Sequence, residues 1–147
     1  MTSITSGVLS DLDSLYRRIA DEIDVGEARY ADADSRYRAV SAYLDAADSP
    51  LRMYRPHIYV QGSFSLGTAT KPFGPNGEYD VDAVCALRLP PTPTDQRWLR
   101  EIVGNRLLTS ARYGPMVIPR EGKRRCWRIQ YHDGSKFHLD LCPAVPE

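Results

Sequence analysis

Residues 57–85, HIYVQGSFSLGTATKPFGPNGEYDVDAVC, decide how the rest of the chain is organised. The β-branched and aromatic run at 57–61 predicts a strand, and the Gly62-Ser63 pair ends it. The small-residue stretch FSLGTAT is compatible with a short helix, and a turn-rich loop follows. Alternating apolar residues then predict a second strand over 79–89. The other elements are placed around this order of strand, turn, short helix, loop and strand.

Helices and a hairpin flank this segment. Their boundaries follow from helical spacing of apolar residues, from proline and glycine stops, and from period-two alternation. They are helices over 8–24, 27–47 and 95–111 (the last capped by Thr94), a short edge strand at 115–119, and strands 125–131 and 137–142 joined by a turn at Asp133-Gly134. This order predicts an α+β fold with a mixed β-sheet, flanking helices and an N-terminal helical pair. We expect 1–54 to form helical support and 55–147 to form the core.

The composition is that of an ordinary globular protein, with 42% hydrophobic and 26% charged residues. The 19 basic residues balance the 19 acidic ones, which excludes the overall cationic field that non-specific duplex binding requires. No apolar run reaches the roughly 18 residues of a membrane span, and the N-terminus lacks a signal-peptide pattern. The widely spaced Cys85, Cys126 and Cys142 predict reduced thiols of a cytoplasmic protein rather than a zinc site.

Asp80 and Asp82 are two residues apart in a predicted strand, so both carboxylates project from one face, about 7 Å apart. The other face is apolar, and two unpaired carboxylates beside a core would cost several kcal/mol to desolvate. A divalent cation offsets this cost, and oxygen ligands favour Mg²⁺ or Mn²⁺. If the strand that carries Asp140 is a neighbour, it adds a third carboxylate to the same face. Three carboxylates can hold two metal ions for in-line displacement at phosphorus.

The Gly62-Ser63 turn is a candidate phosphate site. A glycine at a strand-to-helix break lets the backbone approach a ligand closely, and the following helix presents free N–H groups to phosphate. Ser63 adds a hydroxyl donor, and Lys71 adds positive charge a short helix away. The sequence therefore indicates nucleotide binding by Gly62, Ser63 and Lys71.

The predicted hairpin carries a basic patch and a histidine. The patch consists of Lys123, Arg124, Arg125 and Arg128. Two interpretations stay open for it: a solvated hairpin face, or a contact to triphosphate or nucleic acid. His138 is the one histidine placed near the proposed site, where we expect a structural or supporting role.

Each signal is weak alone, and the specificity comes from their order along the chain. GSFSLG departs from the nucleophile elbow G-x-S-x-G, because Ser63 rather than glycine lies two residues before Ser65. The glycine patterns of P-loop and Rossmann proteins do not match either. These three function classes are therefore excluded.

Three segments resemble the DNA polymerase β-type nucleotidyltransferase superfamily: YVQGSFSLGTATKP at 59–72, EYDVDAVCAL at 78–87 and FHLDLCPAVP at 137–146. Within it, the chain looks most similar to bacterial CD-NTases, the cyclic-oligonucleotide synthases related to cyclic GMP-AMP synthase that act in anti-phage (CBASS) defence. The resemblance covers roughly 55–147. The leading helices resemble the family's N-terminal helical element less specifically.

The resemblance implies a nucleotidyltransferase core and a role for each site residue. It implies that Gly62 and Ser63 bind nucleotide phosphates, that Asp80, Asp82 and Asp140 bind two Mg²⁺, and that Asp140 assists deprotonation of the attacking ribose hydroxyl. The implied reaction is attack of that hydroxyl on the α-phosphate of a nucleoside triphosphate with release of pyrophosphate, followed by a second attack that closes a cyclic product. We expect nucleoside triphosphates and a regulatory protein as partners, no membrane association, and no requirement for nucleic acid.

The resemblance also implies a helical C-terminal part that closes the nucleotide cleft. The chain ends seven residues after Asp140, so we expect this part to be missing. Two other functions stay open. One is a nucleotide-binding module without turnover because of truncation, and the other is a nucleotidyltransferase that modifies an antibiotic or a protein.

Overall fold

The structure is a computed structural model that describes residues 2–74, 76–89, 95–118 and 125–146, with side chains from residue 7 onward. The helices are α1 (Thr2–Ile23), α2 (Glu27–Leu44), α3 (Gly62–Leu66) and α4 (Gln96–Leu108), and the strands are β1 (His57–Gln61), β2 (Tyr79–Ala86), β3 (Val117–Ile118), β4 (Trp127–Gln130) and β5 (Phe137–Ala144). Single turns of 3₁₀-helix lie at Arg52–Tyr54 and Gly114–Met116.

The described strands form one mixed sheet in the order β1-β2-β5-β4-β3. Strands β2 and β5 pair in parallel, whereas the other neighbouring pairs are antiparallel. A parallel pair needs a long crossover connection, and the chain between β2 and β5 contains α4 and two further strands. The predicted α+β fold with a mixed sheet and flanking helices is therefore confirmed.

Most predicted strands are present, with shifted ends. Strand β1 has the predicted bounds, and β2 ends at Ala86 rather than 89 because its partner β1 begins opposite that residue, at His57. Strand β5 continues through Pro143 instead of ending at 142. The proline is tolerated because pairing with β4 ends at Leu141, so no bond of that ladder loses its donor.

The helices also differ from the predicted bounds. Helix α1 begins at Thr2 rather than 8, α2 ends at Leu44 rather than 47, and α4 ends at Leu108 rather than 111. Thr94, the predicted cap of α4, lies outside the described residues. The Asp95 carboxylate caps α4 instead and accepts a hydrogen bond from the backbone N–H of Arg97 at 2.9 Å.

The core lies on the face of the sheet opposite the aspartates. Alternation directs Val81 and Leu139 into it, and the residue types of both central strands on this face are apolar. Helices α2 and α4 cover this face with Val40 of α2 and Val103 and Leu107 of α4. Among the cysteines, Cys85 is fully buried and its burial raises the thiol pKa to about 12, which makes it unreactive.

Helix α1 does not bury its predicted apolar stripe. Side chains on the stripe are about half exposed: Val8 52%, Leu12 43%, Leu15 50%, Ile19 47% and Ile23 45%. The end of α1 contacts the loop after α3. Asp24 forms an isolated antiparallel β-bridge with Thr70, and the Ile23 carbonyl accepts a hydrogen bond from the Lys71 backbone N–H at 2.8 Å. None of the described helices has the length and apolar character needed to cross a membrane.

Trp127 of β4 packs against α4 and forms a hydrogen bond with it. Its indole N–H donates to the Arg100 carbonyl at 2.8 Å, and the Arg100 guanidinium lies 4.0 Å from the centre of its ring. The ring also packs against Gly104, where an added Cβ would lie 2.0 Å from the Trp127 ring. Gly104 is therefore required by this packing, although glycine lowers helix stability.

We predict that Gly104→Ala destabilises the protein by about 1–3 kcal/mol, because the methyl group must displace a packed indole and this outweighs the gain in helix propensity. Gly7→Ala is the matched control, since nothing lies within 4 Å of a Cβ at this helical glycine. Urea unfolding followed by tryptophan fluorescence measures both. An equal response of the two variants would show that the Trp127 contact does not hold β4 on α4.

Candidate metal and nucleotide site

The parallel register of β2 and β5 brings the predicted carboxylates together. Asp82 pairs with Asp140, and Asp80 pairs with His138. Strand β4 extends these pairs into two rows, because Arg128 pairs with Asp140 and Gln130 with His138. Paired residues in neighbouring strands point to the same side of a sheet. The two strands are thus neighbours, as the sequence prediction required, and their polar side chains share one face.

Gly62 lies directly against the Asp82 carboxylate. A Cβ added at Gly62 would lie 2.9 Å from Oδ2 of Asp82, and the φ of Gly62 is +68°, a conformation that other residues rarely adopt. The backbone of this turn therefore lies close to a proposed metal ligand, and its predicted approach to a phosphate stays a prediction. Ser63, the next residue, is exposed at the start of α3.

Lys71 has a different partner from the predicted one. Its ammonium group donates to the backbone carbonyl of Glu22 at 2.7 Å, in the last turn of α1. A cation at this position also complements the negative end of the helix dipole. In the structure the Lys71 side chain therefore contacts α1, and its contribution to phosphate binding stays a prediction.

Asp140 is the most buried carboxylate of the site, and Arg128 binds both of its oxygens. Nε of Arg128 lies 2.7 Å from Oδ1, and one terminal nitrogen lies 2.9 Å from Oδ2. The same guanidinium is 3.6 Å from Oδ1 of Asp80. Burial lowers the pKa of Arg128, but its hydrogen bonds to Asp140 and the charges of Asp140, Asp80 and Glu78 outweigh burial and raise it. Arg128 thus neutralises a carboxylate whose side chain is only 2% exposed.

For Arg128 the structure excludes a solvated hairpin face, whereas its contact to triphosphate or nucleic acid stays a prediction. Arg128 faces the carboxylates instead of solvent. Arg125 is described, and its backbone carbonyl accepts a weak hydrogen bond from the Cys142 thiol at 3.9 Å. Lys123 and Arg124 lie outside the described residues.

His138 lies between two carboxylates. Its Nδ1 is 3.1 Å from Oε2 of Glu78, and its Nε2 is 2.8 Å from Oδ1 of Asp80. The Gln130 amide donates to the other oxygen of Glu78 at 2.7 Å. The sequence prediction missed Glu78 and Gln130, although each is two residues from a residue that was singled out, Asp80 or Arg128. Extending the period-two alternation would have found both.

The donor set fits a divalent cation. Among the described residues, Asp80, His138 and Asp140 each offer one ligand atom, and these atoms lie within 4.8 Å of one another. The two Arg128 bonds occupy two of the roughly four lone-pair sites that a carboxylate offers. Nε2 of the buried His138 ring makes no hydrogen bond within the described chain. Buried polar atoms normally have a partner, and a cation at this position would supply one. The Asp82 carboxylate, beside Gly62, lies outside this group.

We predict that Arg128→Ala lowers stability by about 3–5 kcal/mol, because it leaves the buried Asp140 carboxylate without its counter-charge. Saturating Mg²⁺ or Mn²⁺ should restore more stability to this variant than to the wild type, since an uncompensated carboxylate gains more from a cation. Thermal unfolding with and without metal measures both effects. The control is Arg17→Ala, whose exposed pair with Asp13 is worth at most about 1 kcal/mol. Similar small losses in both variants would contradict the assigned role of Arg128.

Comparison with known proteins covers the same segment. Residues 56–143 match a family model described as the nucleotidyltransferase domain of cyclic GMP-AMP synthase DncV-like proteins. A c-di-GMP synthase of Roseivirga ehrenbergii is 31% identical over 141 residues, which are 96% of this chain and 36% of that protein. The cyclic dinucleotide synthase CdnG of Bradyrhizobium diazoefficiens is 28% identical over 133 residues, 90% of this chain and 30% of that protein.

The fold agrees with these matches. The solved structure of Bradyrhizobium diazoefficiens CdnG in complex with GTP superposes with a TM-score of 0.74, over 93% of this chain and 38% of that chain. This chain spans about a third of the length of the curated relatives. The family match includes Asp80, Asp82 and Asp140 and also Gly62, the first residue of α3. The chain therefore belongs to the DncV-like nucleotidyltransferase domain family of the bacterial CD-NTases.

Proposed function

We propose that this protein is the catalytic core of a metal-dependent nucleotidyltransferase that joins nucleoside triphosphates into a cyclic di- or oligonucleotide. The observation that carries the proposal is the in-register pairing of Asp82 with Asp140, with Asp80 one step along the same face and Gly62 against Asp82. Carboxylates from two adjacent strands beside a tight backbone turn are suited to bind a metal–triphosphate complex.

We assign metal binding and phosphate binding to different residues of the site. Asp80, Asp82 and Asp140 hold Mg²⁺ or Mn²⁺, and Gly62 and Ser63 receive the phosphates at the exposed start of α3. The bound metal supplies positive charge that stabilises the phosphate oxygens during displacement and lowers the pKa of a bound hydroxyl. The protein orients the triphosphate against these carboxylates, so that the ribose hydroxyl of a second nucleotide attacks the α-phosphate, loses its proton to solvent water, and displaces pyrophosphate.

The two hydrogen bonds from Arg128 affect whether Asp140 can accept the proton of the attacking hydroxyl. If Asp140 took the proton of the attacking hydroxyl, both of its charge-assisted bonds to Arg128 would weaken. A carboxylate held at both oxygens is better suited to be a fixed ligand than a proton acceptor. We therefore propose Asp140 as a metal ligand whose orientation Arg128 determines.

The relatives support the cyclic product and the choice of substrate. One is named a c-di-GMP synthase and another a cyclic dinucleotide synthase, and the latter was solved with GTP. We propose GTP as the first nucleotide to test. A role in anti-phage defence, a regulatory protein partner and a cytoplasmic location stay predictions from the sequence resemblance, as does the division into support (1–54) and core (55–147).

We predict that the protein incubated with each radiolabelled nucleoside triphosphate and Mg²⁺ or Mn²⁺ releases pyrophosphate and forms a cyclic product without any added acceptor. Asp80→Ala should lower the rate by about 10³-fold, because losing a metal ligand removes several kcal/mol of transition-state stabilisation. Asp11→Ala, on the exposed surface of α1, is the control and should retain full activity. Thin-layer separation and mass analysis identify the product, and unchanged product from Asp80→Ala would refute the proposal.

The same assay separates the two other candidate functions. Calorimetric binding of nucleotide without release of pyrophosphate would favour a binding module without turnover. A nucleotidylated product that forms only when an antibiotic or protein acceptor is added would favour a modifying enzyme.

A further inference from the structure

His138 is buried in the site between two acidic side chains. The residue is 7% exposed, and its ring nitrogens face Glu78 on one side and Asp80 on the other. Nothing in the proposed reaction uses this ring. It also lies in the same row of the sheet as Asp80, so its position is set by the register that aligns the carboxylates.

Glu78, on the side of the His138 ring away from Asp80, determines how the ring is oriented. The Gln130 amide donates to Oε1 of Glu78, which leaves Oε2 for Nδ1 of His138 at 3.1 Å. A carboxylate can only accept hydrogen bonds, so Nδ1 carries the proton. In the neutral ring, Nε2 then presents a lone pair toward the aspartates. A carboxylate that holds a histidine in this way is the usual support of a metal-binding imidazole.

The contact on the other side of the ring is unsatisfied. Nε2 lies 2.8 Å from Oδ1 of Asp80, yet the two atoms are not aligned as a hydrogen bond, and Nε2 has no other hydrogen-bond partner in the described chain. A nitrogen lone pair and a carboxylate oxygen repel at this distance unless positive charge lies beside both. The Arg128 guanidinium is 3.6 Å from this oxygen, but it makes its hydrogen bonds to Asp140. Adjacent ligands of an octahedral ion with bonds of about 2.1 Å are about 3.0 Å apart, close to the observed separation.

We propose that Nε2 of His138 is a ligand of the metal centre formed with Asp80 and Asp140, and that Glu78 and Gln130 orient it. This inference rests on the proposed function for the identity of the site and adds a nitrogen donor to its oxygen ligands. Mg²⁺ prefers oxygen ligands and retained waters, whereas a transition-metal ion gains from an imidazole. Mn²⁺ is the transition metal that also suits carboxylates. The centre therefore binds Mn²⁺ more tightly than Mg²⁺.

The test is direct detection of nitrogen on bound Mn²⁺. Electron spin-echo spectra of the protein with one equivalent of Mn²⁺ should show modulation from a coordinated imidazole nitrogen. His138→Asn should remove this modulation and weaken Mn²⁺ binding by at least about 10-fold in calorimetry, with a smaller change for Mg²⁺. His132→Asn, the same change at an exposed histidine of the β4–β5 turn, should leave both measurements unchanged.

The possible results separate the inference from the proposed function. Mn²⁺ that binds at the aspartates without nitrogen modulation overturns the inference, while the metal site stands. Absence of any saturable Mn²⁺ binding overturns both the inference and the metal part of the proposed function. If His138→Asn does not fold, as judged by circular dichroism, the test uses wild-type protein in which histidine is labelled with nitrogen-15. The modulation should then change from the nitrogen-14 pattern to the nitrogen-15 pattern. An unchanged pattern overturns the inference.

Discussion

The parallel pairing of β2 with β5 is the constraint on which the rest of the site depends. It aligns Asp82 with Asp140 although the two lie far apart in the chain. The same strands direct Val81 and Leu139 into the core between the sheet and helices α2 and α4. A slip of one residue would exchange these faces and bury carboxylates among apolar side chains, so the core enforces the register. Apolar packing on one side of the sheet thereby determines which charged atoms meet on the other.

The assembled charges need compensation, and the structure provides it locally. The Arg128 fork holds Asp140, and Arg128 comes from β4, which Trp127 fastens to α4. A buried carboxylate without such a partner would destabilise the fold by several kcal/mol. Arg128 therefore compensates this acidic group within the fold itself, without a metal. Gly62 completes the arrangement, because its missing side chain makes room for the Asp82 carboxylate.

Much of this arrangement could be predicted from local sequence signals. The strand at His57–Gln61 and the shared face of Asp80 and Asp82 follow from residue types and period-two alternation. The pairing of Arg128 with Asp140 could not be predicted, because it depends on the register between β4 and β5 and on a side-chain rotamer. The exposed stripe of α1 shows a related limit, since helical spacing of apolar residues does not reveal what covers them.

The most direct test of the account is the position of metal in the protein. A crystal soaked in Mn²⁺ and measured at the manganese absorption edge gives that position without reference to activity. We expect anomalous density bounded by Asp80, Asp82 and Asp140, with ligand bonds of about 2.0–2.3 Å. Density elsewhere on the surface, or no density at these carboxylates, would contradict the assignment of β2 and β5 as the strands that carry a nucleotidyltransferase active site.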